Sequence, residues 1–281
     1  MNWKVVRFNR RATSGRARPP MVTLRNSSGT LVEAYLKSPA FHEKKSPLCL
    51  EREWFASHLA RDLRLPCAKI VPVEVTSELI RMAAEVFQDD GAMLQGATPI
   101  SKSLQNGPDL LIGSISLGTG WSEWTPVAHT QISQLKMAAE IYFFDTLVQN
   151  WDRVIHNPNL LIKNDLYGMI DQEESFVEAA GLEEERSYLP KPWMENGVAN
   201  QTGEFEEHPL WQKIKNRRAI SFDEIVRKFK RLPQEQIKSY GSGFEFNIWS
   251  RSASDRISEY IFEAIENVET VRDAIEVNRG S

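Results

Sequence analysis

The sequence is short of the residues that mark secreted, zinc-bound and membrane-spanning proteins. Two cysteines, Cys49 and Cys67, occur in 281 residues with no C-x-x-C pair, and the five histidines fall at no zinc spacing. A disulfide scaffold and a structural zinc site are thereby excluded, and the cysteine usage predicts a reducing, cytoplasmic setting. No apolar run approaches the ~20 residues that cross a bilayer, and no charged segment followed by an apolar stretch opens the chain, so neither membrane insertion nor secretion is expected. Internal repeats, heptads and low-complexity tracts are lacking. So is an excess of positive charge: 34 basic against 38 acidic residues leave a net charge of −4, which argues against direct binding of nucleic acid. The chain also lacks the G-K-[ST] ending that would make Gly113-x-x-x-x-Gly118-x-Gly120 a phosphate loop. What remains, 41% hydrophobic and 26% charged residues, is the balance of a globule with a real core.

Against that background one stretch is informative. Asn150-Trp151-Asp152-Arg153-Val154-Ile155-His156-Asn157-Pro158-Asn159 is followed by Gly168-Met169-Ile170-Asp171. Phosphoryl transfer from ATP requires a carboxylate beside the acceptor hydroxyl, and an amide oxygen and a second carboxylate on the Mg²⁺ ions that bridge the phosphates. Asp152, Asn157 and Asp171 supply that set, and D-x-x-x-x-N is the offset of kinase catalytic loops. Between them, Leu160-Leu161-Ile162 and Tyr167-Gly168-Met169-Ile170 flank Lys163-Asn164-Asp165, a composition that predicts a β-hairpin. Asp152 is the expected catalytic base, and Asn157 and Asp171 the expected metal ligands. Taken alone, the same loop reads as a polar turn after a helix, with Asp152 capping and Arg153 in a surface salt bridge; the hairpin, Asp171 and the upstream lysine turn the reading to a kinase.

Upstream, Thr13 to Pro20 reads as a flexible turn before strands at Met21–Leu24 and Leu31–Lys37, joined by Asn26-Ser27-Ser28-Gly29. Ser14, Gly15 and Arg16 are candidates to cover phosphates with backbone N–H groups, and Lys37 to reach phosphate oxygens. A helix follows from Glu51 to Leu63, with Phe55, Leu59 and Leu63 on its apolar face and Pro66 as its stop. Glu53 projects from the edge of that face and is the expected partner of Lys37, with Glu51 as second choice. A first-turn acid favourable to the helix dipole is the alternative for either. The basic start, Lys4 to Arg18, is read as solvated or as meeting ATP.

Further on, Lys69–Val75 predicts a strand, Glu78–Val86 a helix and Gln88–Gly107 an irregular insertion. Asp109 onward predicts a buried strand running into a glycine-rich link, where Ser114, Ile115, Ser116 and Leu117 are adenine-hinge candidates by position. Ile132, Leu135, Ala139, Tyr142, Phe143, Thr146 and Leu147 share a 3.6-residue period and predict a long core helix that delivers the Asp152 loop. Glu173 and Glu174 are read as the start of a solvated segment. Ser221-Phe222-Asp223-Glu224 reads as a capping box for a helix to Leu232, and Ser254 to about Val277 as one further helix. Lys213, Lys215, Arg217 and Arg218 form a basic surface patch.

These residues in this order resemble the HipA-like serine/threonine kinases, atypical bacterial kinases known from toxin–antitoxin modules. The resemblance rests on Ser14-Gly15-Arg16 with Pro19, Lys37, Arg52-Glu53-Trp54-Phe55 leading into Leu59-Ala60, Asn150-x-Asp152-Arg153 with Asn157, and Ile170-Asp171. A looser similarity to phosphoinositide and actin-fragmin-type kinases comes from the same Asp-Arg…Asn loop. The HipA-like resemblance implies an α+β, bilobal kinase-like fold, here residues 1–120 as N-lobe with ATP-binding loop and hinge, and 121–281 as a mainly helical C-lobe. It also implies Asp152 as base, Lys37 on the α/β phosphates, Asn157 and Asp171 on Mg²⁺, and autophosphorylation at Thr13 or Ser14. Two features depart from the family: Val154 stands where a histidine often follows the arginine, and Lys37 arrives too early to leave room for the additional N-terminal subdomain of HipA toxins.

The combined expectation is an ATP- and Mg²⁺-dependent phosphotransferase acting on serine or threonine of a protein substrate. Arg153 is expected to support the loop and see phosphate. A cognate antitoxin or regulatory protein is a possible partner borrowed from the family. The alternatives are a small-molecule or lipid kinase, and a kinase-like nucleotide-binding regulator that performs no transfer.

Overall fold

The computed structural model describes residues 2–12, 19–38, 48–86, 100–107, 109–127, 131–176, 190–198, 208–242 and 251–280. Its content is mixed α+β, and the chain divides into two compact units. One is drawn from the described residues of Met1–Glu51 and Ala68–Gly118, the other from those of Arg52–Cys67, Thr119–Gly243 and Ser250–Ser281. No described helix is long and apolar enough to cross a membrane.

The first unit is built on a five-stranded antiparallel sheet in the order β1-β2-β3-β5-β4. Its strands are β1 (Lys4–Arg11), β2 (Pro20–Arg25), β3 (Leu31–Lys37), β4 (Ile70–Glu74) and β5 (Leu110–Ile115). Side chains two apart share a sheet face, and Val22 and Leu24, Ala34 and Leu36, Val71 and Val73, and Leu111 line one buried face. Helix α2 (Ser77–Val86) covers it with Leu79 and Ala83, one turn apart, and the short α3 (Ile100–Gln105) adds Leu104. Thus part of the segment read as irregular is helical; residues 87–99 lie outside the described residues. The β2–β3 turn follows its composition: Gly29 takes φ 84°, and Asn26 Oδ1 accepts from Thr30 N–H at 2.8 Å.

From Lys4 to Arg11 the basic start is a strand, which its charge pattern concealed. Strand β1 carries irregularities between Val5 and Arg7 and between Phe8 and Arg10, and Lys4 pairs with Glu74 at 3.4 Å. Charged residues and bulges are the usual means of keeping an edge from pairing with other chains. Trp3 bridges across to β4, donating to Pro72 O and accepting from Glu74 N, both at 2.9 Å.

In the second unit, helix α1 (Cys49–Asp62) begins in the neighbouring segment and ends in a Schellman motif. Arg64 takes a left-handed φ of 59°, Leu65 N–H reaches Ala60 O at 2.8 Å and Arg64 N–H reaches Arg61 O at 2.9 Å. The helix is therefore stopped by this backbone reversal, before Pro66 is reached. Helix α4 (Ile132–Val148) forms where the periodicity predicts it, but Ile132 is 87% exposed whereas Glu140 and Asp145 are buried. A helix enclosed nearly all round accommodates such acids only when they are paired. Lys228 meets Glu140 at 2.6 Å and Arg153 meets Asp145.

Strands β6 (Ser122–Glu123), β7 (Leu160–Lys163) and β8 (Leu166–Met169) form a second sheet in that order, with Asn164 at φ 54° turning the β7–β8 hairpin. Helices α5 (Trp211–Ile214), α6 (Asp223–Lys230), α7 (Gln234–Ser242), α8 (Arg251–Glu266) and α9 (Val268–Gly280) complete the unit. Two expectations are corrected here. Ser221 precedes the N-cap, Phe222, so no capping box forms; its Oγ accepts from Asp223 N–H at 3.0 Å instead. The final helix is two, parted at Asn267, whose side-chain amide donates to Glu263 O at 2.8 Å.

Candidate active site

The loop that carries Asp152 starts where α4 ends. Gln149 adopts φ 54°, and Asn150 N–H and Gln149 N–H return to Asp145 O and Thr146 O at 2.9 and 3.4 Å. This is a second Schellman turn, made without glycine. Tyr260 supports it from α8, its hydroxyl donating to Leu147 O at 3.0 Å.

A tight turn then brings Asn157 back to Asp152. Val154 and Asn157 exchange backbone hydrogen bonds of 3.2 and 3.0 Å, placing Ile155 and His156 at an exposed tip. The Asn157 amide donates to Asp152 Oδ2 at 2.7 Å, which leaves Asn157 Oδ1 as its acceptor atom. Asn159 adds a second donor to the same oxygen at 3.0 Å. The Asp152 carboxyl is held above the ordinary carboxylate range, first by burial and then by the negative charge of Asp171, while the two amides act the other way. Asp171 itself takes the left-handed φ of 59°.

Arg153 turns away from solvent and organises the loop from beneath. Its Nε donates to Asp145 Oδ2 at 2.6 Å, Nη1 to Asn159 O at 2.5 Å, and Nη2 to Gln172 Oε1 at 3.0 Å. The guanidinium is thus engaged by protein groups on each of its nitrogens, and its role here is structural support of the loop. His208 closes the other side of Asp145, Nε2 lying 3.2 Å from Oδ2. Because His208 Nδ1 accepts from Leu210 N–H at 3.2 Å, the proton sits on Nε2 and points at the carboxylate. Burial lowers the His208 pKa and so favours this neutral form.

The segment after Asp171 is not the solvated stretch its glutamates suggest. Gln172 is fully buried and Glu173 buried, and Gln172 Oε1 also accepts from Asn150 Nδ2 at 3.0 Å. Glu174 lies 3.7 Å from the buried guanidinium of Arg52. Phe176 N–H donates to Val148 O at 2.8 Å, tying the segment to the end of α4. Glu53 accepts from the backbone N–H of Gln172, so its carboxylate fixes the residue next to Asp171. The same carboxylate, after burial, contributes to pushing the Cys67 thiol up to about 12.

The second unit therefore gathers Asp152, Asn157, Asp171, Arg153 and Glu53. Lys37 ends β3 in the first unit, half-buried and in register with Ile112. Ser114 and Ile115 lie in β5, and the N–H groups of Ile115 and Ser116 donate to Lys69 O and Glu33 O, each at 2.8 Å; Leu117 follows the strand. Thr13, Ser14, Gly15 and Arg16 lie outside the described residues. Sequence reasoning missed Asn159, Asp145, His208 and Gln172. An aspartate inside the apolar run Ile141 to Val148 was the one local signal, since such an acid demands a buried partner.

The donor set suits a hard cation. An amide oxygen and a carboxylate are Mg²⁺ ligands, and Mg²⁺ sites commonly take few protein groups, leaving the remaining positions to water and phosphate. No group of three or more His, Cys, Asp or Glu that could hold a metal occurs among the described residues.

Among curated proteins, no sequence match to the chain was found. Among solved structures, the crystal structure of a Helicobacter pylori proinflammatory kinase, CtkA, aligns with 91% of this chain and 94% of its own at 10% sequence identity and a TM-score of 0.47. The sequence model of the HipA-like kinase family matches residues 35–188, more than half of the chain. That match takes in Lys37, Glu53, Asp152, Asn157 and Asp171, and the chain belongs to the HipA-like kinase family.

Proposed function

We propose that the protein transfers the γ-phosphate of ATP, with Mg²⁺, to a serine or threonine of a protein substrate. The observation that carries this reading is the Asp152 carboxylate, partly exposed, raised in pKa and oriented by two side-chain amides beside the charge of Asp171. A pKa raised above the ordinary carboxylate range makes Asp152 a stronger base for the acceptor hydroxyl. In this reading Asp152 accepts the hydroxyl proton, Asn157 Oδ1 and Asp171 hold Mg²⁺, and Lys37 neutralises phosphate charge. Bound Mg²⁺ supplies charge neutralisation along the transferring phosphate. Glu53 and Arg153 keep the Asp171 and Asp152 segments in place, and the adenine side is assigned by position to the link from Ser114 to Leu117, in which the N–H groups of Ile115 and Ser116 are engaged by the sheet.

The test is incubation of the purified protein with γ-labelled ATP, Mg²⁺ and a cell lysate, comparing wild type with Asp152→Ala. The expected result is phosphoserine or phosphothreonine on protein bands with wild type alone. Label confined to lipid or small molecules would redirect the reading to those acceptors, and ATP binding without any label would leave a nucleotide-binding regulator.

A further inference from the structure

We propose that Asn159 is a positioning residue for the transfer step, fixing Oδ2 of Asp152 so that Oδ1 is the oxygen that receives the acceptor proton. This rests on the phosphotransferase reading above and adds to it a residue and an atom. The two oxygens of a carboxylate are equivalent until surroundings distinguish them, and the terminal torsion of aspartate is broad. Here the surroundings distinguish them fully. The amides of Asn157 and Asn159 both donate to Oδ2, at 2.7 and 3.0 Å, and Oδ1 accepts no hydrogen bond among the described residues. Reversing the Asn159 amide would set its oxygen against the carboxylate, so the donor assignment follows from the network.

Asn159 is suited to this because its own backbone is clamped. It holds φ 45°, a left-handed conformation that asparagine tolerates better than most residues. Its carbonyl accepts from Arg153 Nη1 at 2.5 Å and from Ile170 N–H at 3.1 Å. Asn159 thus ties the aspartate to two rigid neighbours: the guanidinium bound to Asp145, and the strand end that precedes Asp171. Asn157 Oδ1 is assigned a second duty at the metal in the reading above, whereas among the described residues the Asn159 amide donates to Asp152 alone. In the step itself the hydroxyl proton passes to Asp152 Oδ1, the hydroxyl oxygen bonds to the γ-phosphorus, and ADP leaves with the electrons of the broken bond.

Four variants test this: Asn159→Gly, Asn159→Asp, Asp152→Asn, and the double variant Asp152→Asn with Asn159→Gly. Glycine keeps the left-handed backbone and deletes the amide; aspartate keeps the backbone preference and replaces the donor by an acceptor. Transfer of labelled γ-phosphate to lysate protein is measured at saturating Mg²⁺ and varied ATP, with the melting temperature alongside. A hydrogen bond to a charged group predicts a fall in kcat of about tenfold or more for Asn159→Gly, with the KM for ATP and the melting temperature unchanged, and a larger fall for Asn159→Asp. In the Asp152→Asn background the glycine substitution should cost nothing further, since a residue acting through Asp152 has nothing left to act on. An equal fold-loss in both backgrounds, a loss of kcat that only tracks melting temperature, or full activity of Asn159→Gly overturns the proposal while leaving phosphotransfer standing. A wild type that transfers no phosphate overturns the phosphotransferase reading, and this inference with it.

Discussion

Arg153 Nε lies 2.6 Å from Asp145 Oδ2, and both side chains are fully buried. The pair joins the core helix α4 to the Asp152 loop; Asn159 of the same loop meets it, and Gln172 and His208 converge on it from two further segments. Desolvation makes such a pair a modest net source of stability, but removing one member leaves an uncompensated charge inside the protein, typically at a cost of about 3–5 kcal/mol. Asp145→Ala should therefore lower the urea midpoint severely. Arg153→Lys should fold better and still transfer phosphate poorly, because one ammonium cannot replace a planar fork that reaches Asp145, Asn159 O and Gln172 together. Urea denaturation and labelled-ATP transfer measured on both variants check the two parts separately; wild-type transfer by Arg153→Lys would contradict the bracing role.

His208 makes stability pH-dependent, with a sign fixed by its lowered pKa. In the unfolded chain the histidine takes up a proton near pH 6.5, while in the fold it stays neutral. Its contribution is therefore complete above about pH 6.5 and declines as pH falls below it, with a slope of at most about 1.4 kcal/mol per pH unit for one proton. His208→Gln presents an amide N–H to Asp145 without titrating. Its unfolding free energy should lose that part of the slope between about pH 6.5 and 5, and an identical slope in wild type and variant would remove His208 as the source.

The strands, the core helix and the Asp152 loop were legible because each has a local cause. Strand β3 follows its apolar run to Lys37, the hairpin follows Asn164-Asp165, and the D-x-x-x-x-N offset is closed by a turn inside the loop itself. What escaped depends on distant partners or on backbone geometry. The charge of β1 reads as solvated until β2 pairs with it. Glu173 reads as surface until Gln172 is drawn inside by Arg153 and Asn150. The ends of α1 and α4 rely on Arg64 and Gln149 in left-handed conformations, where a reader looks for glycine. The loop residues Ser14, Gly15 and Arg16 are outside the described residues, so their assignment rests on resemblance.

Gly113 has a packing role that its place in a glycine-spaced motif obscured. It lies in β5 opposite Leu36 of β3 and Val71 of β4, and a Cβ there would come within 2.7 Å of Leu24 Cδ1 and 3.0 Å of Val73 Cγ2. Both atoms belong to buried side chains, so relief requires repacking of the sheet face. Gly113→Ala should destabilise the protein by about 1–3 kcal/mol, the range for overpacking a core. A melting temperature equal to that of wild type would show that Leu24 repacks without cost.

The metal assignment makes a prediction that does not depend on knowing the acceptor. A ligand that binds only the folded protein raises its melting temperature by mass action. If Asn157 Oδ1 and Asp171 hold Mg²⁺ with the nucleotide, ATP with Mg²⁺ should raise the melting temperature more than ATP alone, and Asp171→Ala should lose most of that Mg²⁺-dependent increment. Asp171 has φ 59°, a conformation in which alanine is less at ease than aspartate, so Asp171→Asn is the better-matched control: it keeps the backbone preference and an oxygen ligand but drops the charge. The expected order of the Mg²⁺-dependent increment is wild type, then Asp171→Asn, then Asp171→Ala, each normalised to the melting temperature of the same protein without nucleotide. Asp152→Asn should retain the increment while losing transfer by about a hundredfold or more, because Asp152 is assigned to the proton and the metal is assigned elsewhere. An Asp171→Ala protein with the full wild-type increment would remove Asp171 from the metal site, whatever the fate of Asp152.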